Sequence, residues 1–189
     1  MINIENACCF TGYRPEKFDF AFDTDCRKMT EFDNRLLYCI SQLIEQGCTV
    51  FYCGMAKGFD IVAGECVALL KQRNKKIRLI AVEPFAGNSE SFDPKWKQCH
   101  DNLLTQCDEV VTLNLEYSSW CYSQRNRYMV DRSRYVVTYY DGRPGGTQNT
   151  LNYATKHSRE IINIYNTNPI PREKFHRDSP YRFFLVKPD

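Results

Sequence analysis

Short apolar runs alternate with longer stretches in which apolar residues recur every three or four positions. The short runs fall at 7–10, 48–53, 77–82, 109–113, 135–140 and 160–165, and their length and β-branched content predict strands. Between them the periodic stretches predict helices. Met29, Phe32, Leu36, Ile40, Leu43 and Ile44 share one helical face, and Gly47 stands where a C-cap belongs. Phe59, Ile61, Val62, Cys66, Leu69 and Leu70 form a second face that runs to about Arg73. Asp93-Pro94 opens a third helix, with an acidic N-cap and proline in its first turn, carrying Trp96, Cys99, Leu103, Leu104 and Cys107. A fourth spans about 120–133, and a fifth runs from Thr147, the expected N-cap, to about His157. After Pro169, Pro171 and Pro180, the apolar stretch 181–186 is expected to pair at a sheet edge. Strand–helix alternation of this kind predicts an α/β protein with a mainly parallel sheet and helices on both faces.

The 189 residues fit one domain, expected over 1–189 with a core at about 5–165 and a tail at 166–189. A hydrophobic fraction of 43% and a charged fraction of 25% suit a globular protein. The formal charge of +2 is close to balance, so nucleic acid is not expected as a partner. The basic residues dense in 125–134 read as a solvated helix face. No apolar run reaches the length of a membrane span and no signal-peptide pattern is present, which predicts no membrane partner and a cytoplasmic location. Ten cysteines occur without any CxxC pair. Cys8, Cys9, Cys53 and Cys66 sit in apolar patterns, where thiols act as small hydrophobes. Cys99, His100 and Cys107 would need further ligands, so no metal site is expected.

The stretch 51–65, FYCGMAKGFDIVAGE, reads as strand, glycine turn and helix. Gly54 and Gly58 allow close backbone approach, the helix start offers N–H groups to an anion, and Lys57 adds positive charge. Asp60 favours the positive helix end or hydrogen-bonds a ribose hydroxyl or a bound amide, and Glu65 follows about a turn later. A second turn, DGRPGGT over 141–147, leaves the amides of Gly145 and Gly146 uncovered before a helix, with Thr147 and Arg143 beside them. After the first strand, Thr11, Gly12 and Arg14 add a hydroxyl, a close approach and a guanidinium. In a parallel sheet these turns emerge on one edge and line one crevice. The alternating Phe18, Phe20 and Phe22 are expected to pack.

TGYRP, CGMAKGFDIVAGE, RNRYMVDRS and DGRPGGT, in this order, resemble the YpsA-like branch of the SLOG superfamily. That superfamily also contains the DNA-processing protein A family and the lonely-guy phosphoribohydrolases. The resemblance covers about 5–165 and implies a Rossmann-like, doubly wound fold with nucleotide-type ligands at the glycine-rich edge. By position, Gly54, Gly58 and Asp60 match its first glycine motif, Gly145, Gly146 and Thr147 its second, and Arg125-Asn126 its basic-polar pair. Lonely-guy enzymes place acidic residues after the PGG turn, whereas here PGGTQNTLNYA carries Asn152 and no carboxylate before Glu160. The leading expectation is therefore a sensor or carrier for a nucleotide or ADP-ribose-like phosphate ligand, with no cofactor assigned. An N-glycosidic hydrolase using Asp60 or Glu65 and a single-stranded DNA binder are the alternatives. Whether a reaction is catalysed, and whether the chain forms a homo-oligomer, stay open.

Overall fold

The computed structural model describes residues 4–20, 22 and 27–165. The proposed edge strand at 181–186 and the tail lie outside them. Six strands, β1 (Ala7–Gly12), β2 (Val50–Cys53), β3 (Arg78–Glu83), β4 (Glu109–Thr112), β5 (Tyr135–Tyr139) and β6 (Glu160–Asn163), form one sheet in the order β4-β3-β2-β1-β5-β6. Every pairing is parallel. The helices are α1 (Arg27–Glu45), α2 (Phe59–Arg73), α3 (Pro94–Leu104), α4 (Cys121–Asp131) and α5 (Gly146–Lys156). This is the doubly wound, Rossmann-like α/β architecture the pattern predicts. Most element ends differ from expectation by a residue or two. One difference bears on function: Thr11 and Gly12, expected in a turn, continue β1 because Thr11 pairs with Thr138 and Gly12 with Tyr139.

Period-two alternation sends neighbouring strand residues to opposite faces. Cys8, Phe10, Phe51, Cys53, Leu79 and Ala81 join the core beneath α1, α2 and α3. Cys9, Ile80, Val82 and Val136 meet Met129, Val130, Leu151 and Ala154 of α4 and α5 on the other face. Helix α1 buries the predicted stripe of Phe32, Leu36, Ile40 and Leu43. Its C-terminus closes at Gly47, whose φ of +96° lets the Cys48 N–H reach the Leu43 carbonyl at 2.9 Å. Helix α2 is buried almost all round, and a Cβ on Gly64 would lie 2.6 Å from Leu103 Cδ2 and 3.1 Å from Cys53 Sγ. Asp93 caps α3 by accepting the Trp96 N–H at 3.2 Å.

The phenyl rings of Phe18, Phe20 and Phe22 pack as expected. Phe18 stacks on Tyr139 with centroids 4.8 Å apart, and Phe22 meets Trp96 edge-on at 5.3 Å. The described cysteines are free thiols. Burial pushes Cys39, Cys48 and Cys107 up to about 12, so they are hydrophobes at neutral pH. No group of three His, Cys, Asp or Glu among the described residues is placed to hold a metal ion.

Candidate functional site

The order of strands reverses between β1 and β5: successive strands step one way from β1 to β4, then the chain returns and β5 and β6 build the other side. The segments after β1 and β5 therefore diverge to α1 and α5 on opposite faces, which opens a crevice beyond their C-terminal ends. The Thr147 hydroxyl donates to the Gly12 carbonyl at 3.1 Å and ties the start of α5 to the end of β1. Gly12 itself serves packing, since a Cβ there would fall 2.3 Å from Phe59 Cγ.

The first glycine turn is not an open cradle; the protein's own arginine fills it. Arg125 of α4 is 5% exposed, and its Nη1 donates to the Gly54 carbonyl and lies 3.4 Å from Asp60 Oδ2. A Cβ on Gly54 would sit 2.2 Å from that nitrogen. Two amides at the start of α2 are also engaged: Phe59 N–H donates to the Tyr13 carbonyl at 3.1 Å and Ile61 N–H to the Ala56 carbonyl at 3.3 Å. Gly58, at φ +93°, packs against Tyr13 and Pro15. Burial raises the Asp60 carboxyl, and the adjacent Arg125 pulls it back down. Lys57 is held by Glu16 at 2.5 Å. Glu65 stands on the α1 side of α2, where burial and the charge of Asp33 raise it to about 7. The structure does not gather Lys57, Asp60 and Glu65 in the crevice: Lys57 is paired with Glu16, Asp60 with Arg125, and Glu65 is half-buried near Asp33 of α1.

The second turn is open. Gly145 is the N-cap residue of α5 at φ +150°, and no side chain among the described residues caps the helix. Thr147, the expected cap, is instead the first-turn residue bonded to Gly12. Gly146 is exposed, with nothing among the described residues within 4 Å of where its Cβ would be. Arg143 is pinned: its guanidinium pairs with Asp141 at 2.6 Å and donates to the Lys17 carbonyl at 2.5 Å. Arg143 holds the Asp141 carboxyl well below the usual carboxylate range, and Asp141 also accepts the buried Tyr13 hydroxyl. Two cations remain. Arg14 is exposed, and Lys17 Nζ lies 3.0 Å from the Cβ position of Gly145. Among the described residues neither has an ion pair. Asn126 donates to the Thr150 hydroxyl at 2.7 Å, locking α4 against α5.

Three features escaped sequence reasoning. Lys17 was hidden in an aromatic segment with no periodicity. Asn114 joins two loops at the crevice: its amide donates to the Pro84 carbonyl at 2.7 Å and to Gln124 Oε1 at 3.1 Å, and its carbonyl accepts from Ala86 N–H at 3.0 Å. Those loops bring Phe85, Tyr117 and Tyr122 into one cluster. Along the outer face of α4 runs a groove of about 480 Å³ lined by Trp120, Gln124, Arg127, Tyr128, Asp131 and Arg132. The dense basic segment divides accordingly: Arg125 is buried, Arg134 pairs with Glu5 and Glu160, and Arg127 and Arg132 lie over the rings of Tyr153 and Tyr128. Among the described residues no helix is long and apolar enough to cross a membrane.

Comparison with known proteins places this geometry in context. The family model described as the YspA SLOG family matches residues 8–171. An uncharacterized SPbeta prophage-derived protein YoqJ of Bacillus subtilis is 31% identical over 141 residues, covering 68% of this chain and 82% of that protein. Two solved structures share the fold. DNA processing protein A from Helicobacter pylori, described for its single-stranded DNA binding mode, superposes with a TM-score of 0.55 at 14% identity over 84% of this chain. DNA processing protein A from Streptococcus pneumoniae gives 0.54 at 20% identity over 82% of the chain. The chain spans 64% and 48% of those two structures, under two thirds of each. The expectation that set nucleic acid aside is corrected by this finding, since the architecture is one on which single-stranded DNA binding is described. The physical reason is that net charge averages over the whole surface, whereas contacts are made by local groups within a Debye length of about 8 Å.

Proposed function

The chain belongs to the YspA SLOG family, and we propose that it binds a phosphate-bearing, nucleotide-derived ligand in the crevice where β1 and β5 diverge. One arrangement carries the reading: the uncapped N-terminus of α5 stands beside Lys17, and Arg14 follows the end of β1, which Thr147 ties to that helix start. The first-turn N–H groups and the helix dipole favour an anion there. Lys17 supplies a point charge, and the Arg14 guanidinium supplies a fork that fits phosphate oxygens. Binding is favoured over glycosidic cleavage because Asp60 is committed to Arg125 and Glu65 to the α1 side of α2.

Thermal unfolding with AMP, ADP-ribose, ribose 5-phosphate and pyrophosphate tests the reading. A ligand at 100-fold its Kd adds about 2.7 kcal/mol of stability. The Lys17→Ala/Arg14→Ala variant should keep its ligand-free unfolding temperature, since both side chains are exposed, and lose the ligand-induced shift. No shift in the wild type with any of the four, or an undiminished shift in the variant, refutes it.

A second reading has its own support: the aromatic and guanidinium groups of the α4 groove suit stacked bases of a single strand. Its signature is an oligothymidine gel shift that weakens with salt and is lost in Trp120→Ala but kept in Lys17→Ala/Arg14→Ala.

A further inference from the structure

We infer that Phe85, Tyr117 and Tyr122 form a base-stacking platform beside the anion site, so the ligand carries a nucleobase and is not a bare sugar phosphate. This rests on the phosphate reading above and extends it to the other end of the molecule that site would hold.

The rings form one mutual contact. Phe85 meets Tyr117 edge-on with centroids 5.6 Å apart and Tyr122 at 6.1 Å, and the two tyrosines are 6.3 Å from each other. They come from two segments far apart in sequence, the turn after β3 and the stretch leading into α4. Both emerge at the C-terminal edge of the sheet because β3 and β4 are parallel neighbours. Asn114 fixes their spacing through its bonds to Pro84, Ala86 and Gln124. A platform held this way loses little conformational freedom when a flat ring settles on it.

Arg14 connects the two halves. Its guanidinium carbon lies 5.4 Å from the centroid of Tyr122. Two residues earlier, Gly12 anchors the start of α5 through Thr147. The chain over residues 12–14 therefore leads from the start of α5 to Arg14 over Tyr122, and ring contacts go on to Phe85 and Tyr117. A phosphate, a ribose and a base follow one another in the same way.

Exposure distinguishes this cluster from ordinary packing. Tyr117 is 64% exposed although it touches two other rings, whereas the Phe18–Phe22 rings are drawn into the core. A second observation concerns hydrogen bonding. Asn88 is 2% exposed, its N–H donates to the Phe85 carbonyl at 3.3 Å, and its side-chain oxygen has no partner among the described residues. The Ser118 hydroxyl, next to Tyr117, is likewise buried and unpaired. Buried polar atoms left in this state need a partner.

Calorimetric titration of the whole chain with AMP and with ribose 5-phosphate tests the inference. The wild type should bind AMP at least about tenfold more tightly, the scale of one base–aromatic stack. Tyr117→Ala should abolish that preference while leaving the ribose 5-phosphate affinity unchanged, and Tyr117→Trp should keep it. Equal affinities for the two probes in the wild type overturn the platform and leave the phosphate site standing. So does a Tyr117→Ala variant that weakens both probes equally, or neither. If the wild type binds neither probe, the platform and the phosphate reading fall together.

Discussion

Asp60→Asn is the substitution that separates a structural carboxylate from a ligand-binding one. Asp60 and Arg125 are each 5% exposed, and Arg125 Nη1 shares its contacts between Asp60 Oδ2 and the Gly54 carbonyl. Taking away one charge of a buried pair leaves the other desolvated and unmatched, at a cost of about 3–5 kcal/mol. At roughly 2–4 °C per kcal/mol for a chain of this size, the unfolding temperature should fall by about 10 °C. Urea unfolding at pH 7 without ligand reads this directly, with the midpoint shifting and the slope unchanged. Arg125 Nε has no hydrogen-bond partner among the described residues, so the pair is imperfectly satisfied even in the native state. Removing both charges in Asp60→Leu/Arg125→Met should therefore recover most of the loss. A ligand-free Asp60→Asn protein within about 0.5 kcal/mol of wild type, the range of ordinary surface changes, would refute the reasoning and return Asp60 to the list of ligand contacts.

Two other outcomes follow from the buried carboxylates and the first glycine turn. Asp33 and Glu65 are each raised to about 7, Asp33 by burial and Glu65 by burial and the charge of Asp33. The native state then holds protons that the unfolded chain has released. Their contribution is full below the unfolded carboxylate value near pH 4, declines through pH 7 and is lost above it. Glu65→Gln should gain about 1–2 kcal/mol over wild type at pH 8 and nothing near pH 4, by the linkage of about 1.4 kcal/mol per pKa unit discounted for partial exposure. Urea midpoints at the two pH values check this, and a variant no more stable than wild type at pH 8 counts against it. Gly54→Ala should destabilise the ligand-free protein by about 2–4 kcal/mol, because its Cβ would press 2.2 Å from Arg125 Nη1 and 2.5 Å from Asp60 Oδ2. Calorimetric unfolding decides that point, and an unchanged melting temperature would mean the arginine lies elsewhere.

The strands were legible because each is an apolar run bounded by turn residues, and the helices because burial on one side imposes a stripe. Gly47 and Asp93 were legible for local reasons, each as a helix cap. Arg125 was not, since nothing in its neighbourhood distinguishes an arginine that crosses to another element from one in water. Its partner lies 65 positions away. For the same reason Gly54 looked like room for a phosphate when it is room for a guanidinium. Lys17 and Tyr117 sit in segments without periodicity, where only the meeting of loops at the sheet edge gives them neighbours. Arg143 looked available until the turn folded Asp141 back onto it, a contact two residues long that composition does not reveal.

The central place of β1 has a consequence for how this chain comes into being. Cys8 registers with Phe51 on one flank and with Tyr135 on the other, so β1, the first of these six strands to be made, waits longest for its second neighbour. Until 135–139 exist, the nascent sheet ends in a bare ribbon of Cys8, Cys9 and Phe10, the kind of surface to which stray strands adhere.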